Sequence, residues 1–154
     1  VNRPWNETEE DLAREDAARL FLETKWKCVI QKLQPGVYKV DWALFRRAAR
    51  DTRILAGWGE YKFRENYNWG AFDQIMLSVG KWITLRQLAE KTIQPFFFIT
   101  EWKDGTIASI NWPPHSGAGY PIVLSGNKRG QEGDIEPVIM IPIKEFKVLR
   151  GETK

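Results

Sequence analysis

The stretch NETEEDLAREDAARLFLETKW spaces Leu12, Ala13, Ala17, Leu20, Phe21 and Thr24 as one face of a helix. Thr8 is suited to cap it, with Asp11 three residues on and further acids in the first turn, where the helix dipole favours them. CVIQKL reads as a short extended piece, and Pro35-Gly36 turns the chain. VYKVDWALFR and RILAGWGEYKFR predict two strands joined by the basic link RAARDT, and ENYNWGAFDQIML reads as a polar, aromatic connection. Ser78 is placed to cap a second helix, VGKWITLRQLAEKTI, with Val79, Trp82, Leu85, Leu88 and Ala89 on one face. PFFFITEW and TIASINW form a hairpin about Lys103-Asp104-Gly105, since Asp-Gly supplies the positive φ such turns require. PPHSGAGYPIVLSGNKRGQEGD reads mostly as loop with a short strand at PIVL, and EPVIMIPIKEFKVL closes as a strand or strand pair.

Helix, strands, helix, strands is the order of an α/β domain with a central mixed sheet, and 154 residues suit one domain spanning 1–154. A net charge of +3 excludes a polybasic nucleic-acid binder, so any positive contact surface must be local. Cys28 is alone, which rules out an internal disulfide or a cysteine metal cluster and fits a reducing cytoplasm. No apolar run is long enough to span a membrane, and no Gly-rich phosphate loop follows a strand, so neither a membrane partner nor a nucleotide cofactor is expected. His115 lies on a loop and offers no basis for a histidine-based site.

Chemistry is concentrated in the two central strands. Alternation puts Glu60 and Lys62 on one strand face, with Tyr61 and Phe63 on the other. Asp41, read as mid-strand between Val40 and Trp42, is disfavoured there by propensity and costly if buried alone. If the strands are neighbours, Asp41 and Glu60 meet. A simple Glu60–Lys62 ion pair tying the strands leaves the second carboxylate unexplained. Two converging carboxylates repel, and a hard divalent cation such as Mg²⁺ or Mn²⁺ removes the conflict. Such an ion polarises a phosphoryl oxygen and activates water, with Lys62 holding that water or the transition-state charge.

Asp41 followed one strand later by Glu60-Tyr61-Lys62 resembles the catalytic pattern of the PD-(D/E)XK nuclease superfamily, in which restriction endonucleases and Holliday-junction resolvases are found. The order of first helix, acidic strands, second helix and strand is similar over most of the chain. The resemblance implies a restriction-endonuclease-like core and hydrolysis of DNA with Mg²⁺ or Mn²⁺ as cofactor. Asp41, Glu60 and the backbone carbonyl of Tyr61 would ligate the metal, and Lys62 would position the water. Glu15 on the first helix, with Glu23 in reserve, would reach the metal or its waters. Val40 stands where many members have Pro, and Gln74 is followed four residues on by Ser78 rather than the Tyr of RecB-like members. QIMLSVGKW is closer to phage and prophage members, in which a Ser and a Lys-Trp pair open the second helix.

DNA is therefore the expected partner. Arg46, Arg47, Arg50 and Arg53 cluster in FRRAARDTR, and Arg64, Lys81, Lys128 and Arg129 add candidate phosphate contacts. Tyr67, Trp69 and Phe72 are either base-stacking platforms or core. The expected setting is the cytoplasm of a bacterium or phage-infected cell. Two rivals share the fold: a branched-DNA resolvase working as a homodimer, and a DNA-binding module without turnover.

Overall fold

The computed structural model of the chain describes residues 7–112, 119–126 and 135–151. Helix α1 (Glu9–Trp26) leads into β1 (Val29–Lys32), β2 (Trp42–Arg47) and β3 (Arg53–Arg64). Strand β4 (Gln74–Ser78) runs directly into helix α2 (Val79–Thr92), followed by β5 (Phe96–Trp102), β6 (Ile107–Trp112), β7 (Ile122–Gly126), β8 (Ile135–Pro142) and β9 (Lys147–Arg150). Six strands form the main sheet in the order β1-β2-β3-β5-β6-β9, and β4-β8-β7 form a second sheet. Among the described strands, only β3 and β5 pair in parallel, because the connection through α2 crosses over the sheet between them.

The main sheet is covered on both faces. Ala18 and Leu22 of α1 pack on Ile30, Trp42, Leu44, Ile99, Ile107 and Leu149. On the opposite face, Leu85 and Ala89 of α2 pack on Val40 and Phe96. Ile75, Leu77, Ile139 and Ile141 of the small sheet pack there on Phe98, Trp102, Ala108 and Ile110. Gly59 is needed for the close approach of β2, since a Cβ there would lie 3.3 Å from both the Leu44 and Trp42 side chains.

The start of α1 follows the sequence. Thr8 Oγ1 accepts from the Asp11 N–H, and Asp11 accepts in return from the Thr8 N–H, both at 3.1 Å. Thr8→Ala is expected to cost about 1 kcal/mol and lower the melting temperature by roughly 2–4 °C, measurable by calorimetry. The packing face of α1 differs from the expected stripe. Glu15, Ala18 and Leu22 are buried, whereas Ala13, Ala17, Leu12 and Leu20 are exposed. A glutamate counts as polar in any periodicity, so the buried row was hidden by Glu15.

Two further expectations are corrected, and the closing segment, expected as one strand or two, holds two. Strand β2 begins at Trp42, so Asp41 stands at the strand entrance rather than in mid-strand. Its carbonyl accepts from Leu33 N–H at 2.8 Å and its carboxylate from Tyr61 N–H at 3.0 Å, so the side chain replaces a ladder acceptor. The connection before Ser78 contains β4, five residues long, in which Ile75 and Leu77 alternate inward. Finally, the closing strands β8 and β9 belong to different sheets, with Ile143–Glu145 forming a 3₁₀ turn between them.

Candidate active site

Trp42 pairs with Gly59 in the antiparallel ladder, which sets Asp41 opposite Glu60 at the edge of β2. Glu60 points to the α2 side of the sheet and is only 5% exposed. Burial raises its pKa well above the usual carboxylate range, and the adjoining Asp41 carboxylate raises it further. The two acids therefore converge, on one side of the sheet. Lys81, in the first turn of α2, places Nζ 3.2 Å from both Glu60 carboxylate oxygens. Ser78 Oγ accepts from Lys81 N–H at 3.4 Å, fixing that turn, and Nζ also lies 3.5 Å from the Lys39 carbonyl. Oε1 takes the Lys81 hydrogen bond, while Oε2 is buried without any hydrogen-bond partner.

A buried carboxylate oxygen that makes no hydrogen bond and meets the Lys81 ammonium only as an ion pair, beside a second carboxylate, fits a cation ligand. Among the described residues, no group of three or more Asp, Glu, His or Cys side chains gathers as a metal cage. The donor set is thus a carboxylate pair, which suits a hard cation that keeps part of its water shell.

Glu15 is buried on the α1 side of the sheet. It forms an ion pair with Lys32 and accepts from Trp42 Nε1 at 3.3 Å. Burial raises its pKa, Lys32 opposes that shift, and Asp41 adds a smaller upward contribution, so the charges at Glu15 and Asp41 interact. Glu23 accepts from Ile30 N–H at 2.8 Å and serves the start of the sheet. Tyr61 turns its ring to the α1 side, stacked on Trp42 at 5.2 Å, and donates its hydroxyl to Glu101 at 2.7 Å. Lys62 shares the Glu60 face by alternation, and its side chain is exposed.

The arginines divide. Arg46 and Arg47 are exposed, but Arg47 pairs with Arg53 at the far end of the β2–β3 hairpin. Five residue steps separate Trp42 from Arg47, or roughly 17 Å along a strand. The cluster lies away from the acid pair rather than next to it. Arg64 is half-buried, with Nη2 3.4 Å from the Met76 carbonyl and Nε without a hydrogen bond, and burial lowers its pKa. It is held against β4 instead of standing free as a surface phosphate contact. Trp69 is core, packed edge-on against Trp102, whereas Tyr67 and Phe72 form an exposed pair with ring centres 4.7 Å apart. His115, Lys128 and Arg129 lie outside the described residues.

Sequence reading did not foresee Lys81 as the partner of Glu60. The available signal was the Ser78 cap, which fixes Lys81 in the helix's first turn, but the approach of that turn to β3 is a tertiary fact. Glu101 was also missed; it is buried between the Tyr61 hydroxyl and Arg150, whose Nη2 is 3.3 Å away.

A mixed sheet flanked by two helices, with acids entering from β2 and β3, defines a restriction-endonuclease-like core. The chain belongs to the family described as "phage putative PDDEXK endonuclease", whose model matches residues 1–149. No curated protein and no solved structure matches the chain closely enough to add to that assignment. No helix among the described residues is long and apolar enough to cross a membrane.

Proposed function

We propose that the protein is a DNA endonuclease that uses Mg²⁺ or Mn²⁺ held by Asp41 and Glu60. The single observation carrying this reading is the buried Glu60 carboxylate set beside that of Asp41, its Oε2 ion-paired with Lys81 but making no hydrogen bond. The backbone carbonyl of Tyr61 is the proposed third oxygen. When bound, the ion supplies Lewis-acid polarisation of the scissile phosphate and lowers the pKa of the attacking water.

The chain's own residues do the remaining work. Asp41 is oriented by the Tyr61 N–H, so its carboxylate is held in place without side-chain searching. Lys62, on the Glu60 face, positions the water and offsets negative charge that develops on phosphorus-bound oxygens as one P–O bond forms and another breaks. Glu15 supports the arrangement from the α1 side through Trp42 and its charge at Asp41. DNA is the proposed partner, with Lys81 and the β2–β3 arginines as backbone contacts.

Supercoiled, linear and branched DNA incubated with Mg²⁺ or Mn²⁺ tests the reading. Cleavage is expected with either ion, absent in chelator, and lost in Lys62→Ala. Activity surviving in that variant would place the chemistry elsewhere. Selective cutting of branched DNA by a protein of dimeric native mass would mark a resolvase. DNA binding without Mn²⁺ uptake in calorimetry, unchanged by Asp41→Ala, would mark a binding module.

A further inference from the structure

A cleft adjoining the acid pair has no role in the chemistry above. Val37, Tyr38 and Lys39 form one wall, Thr84, Leu88 and Lys91 of α2 form the other, and the cavity measures about 350 Å³. We propose that this cleft takes an unpaired DNA strand, the few nucleotides flanking the scissile phosphate; the inference rests on the nuclease reading and names its substrate class.

Continuity with the site is the first reason. Lys39 and Val40 run directly into Asp41, and the Lys39 carbonyl is 3.5 Å from Lys81 Nζ, the group paired with Glu60. On α2, Lys81, Thr84, Leu88 and Lys91 follow a three-four-three spacing, so one stripe leads from the acid pair along the cleft. Ten helical residues cover roughly 15 Å, about two or three extended nucleotides.

Charge and surface chemistry supply the second. Two lysines line the cleft, and among the described residues no acidic side chain does. Glu90, the nearest helix acid, is paired with Arg86 at 2.9 Å. Val37 and Tyr38 are 65% and 51% exposed, an apolar wall left facing solvent. That wall is braced rather than loose, with the N–H groups of Val37 and Tyr38 both donating to the Gln34 carbonyl. A basic track with an aromatic face is how sequence-tolerant single-strand sites are built, phosphates on lysines and bases on rings. The volume is in keeping: a cavity of about 350 Å³ matches a group the size of a nucleotide, smaller than a base pair.

The test is fluorescence anisotropy in EDTA with a labelled single-stranded oligonucleotide and the matching blunt duplex. The wild-type protein is expected to bind the single strand at least about tenfold tighter than the duplex. Lys91→Glu and Tyr38→Ala are each expected to weaken single-strand binding by about tenfold, and Lys25→Glu, in the last turn of α1, by less than about twofold. All three positions are exposed, and unchanged melting temperatures would show that the fold is intact. Equal affinity for the duplex, or both cleft variants within about twofold of wild type, would overturn the proposal. Mn²⁺ calorimetry on the same proteins reads the metal pair separately. Loss of strand binding with Mn²⁺ uptake intact implicates the cleft, whereas wild-type protein that binds the strand but takes up no Mn²⁺ sinks the metal reading alone.

Discussion

Glu60→Gln is expected to abolish cleavage, by about 10³-fold or more, while raising the melting temperature of the metal-free protein. Both effects come from one arrangement. Glu60 is buried beside Asp41, and burial first and Asp41 second hold its pKa well above the usual carboxylate range. The charged form is thus a cost to the fold, and an amide of the same shape removes it while abolishing the anionic ligand. Below the unfolded carboxylate value of about 4.5 the group is protonated in both states and contributes no penalty. As pH rises toward the raised folded pKa, the unfolded chain releases the proton and the folded chain keeps it, so stability falls with pH; above the folded pKa the full penalty is present. Melting in chelator at pH 5 and pH 8 should therefore show the Gln variant gaining on wild type at the higher pH. A variant that melts lower than wild type at pH 8 would mean that Glu60 is a structural partner of Lys81 rather than a ligand kept under electrostatic tension.

Much of the scaffold for this pair was legible in the sequence, and the reasons differ by element. Strand β3 and helix α2 have the expected bounds because alternation around Tyr61 and the Ser78 cap are local signals. The Asp-Gly hairpin between β5 and β6 is local too. Pairing of Asp41 with Glu60 required only that neighbouring strands be neighbours in the sheet. What stayed hidden is tertiary. Glu15 is buried because Lys32 and Trp42 satisfy it, and nothing in the spacing of α1 shows those partners. The arginines adjoin Asp41 in sequence, yet the β2 strand carries them to the other end of the β2–β3 hairpin. Lys81 lies 21 positions from Glu60 and reaches it only because α2 crosses the sheet to allow β5 to run parallel to β3.

Lys81→Met is expected to have effects of opposite sign on the metal-free and metal-loaded forms. Without metal, the Lys81 ammonium is the cation at both Glu60 oxygens. Removing one partner of a fully buried pair costs about 3–5 kcal/mol. The Lys81 side chain is 36% exposed, so solvent screening reduces that to about 1–2 kcal/mol. The metal-free variant should accordingly melt several degrees lower, by roughly 2–4 °C per kcal/mol. Binding of Mn²⁺ should strengthen in the same protein. A divalent ion at Asp41 and Glu60 has to displace the ammonium from the carboxylate and then tolerate its charge at short range, and methionine imposes neither cost. An affinity gain of about tenfold corresponds to only 1.4 kcal/mol, well within a single charge's reach at the edge of a protein. The stabilisation given by saturating Mn²⁺ should be larger in the variant than in wild type, since ligand-linked stability follows affinity. Calorimetric titration with Mn²⁺ and melting with and without the ion read both signs without any cleavage assay. If Lys81 served only to brace the helix start, its loss would loosen the acid pair, and Mn²⁺ affinity would fall together with the melting temperature.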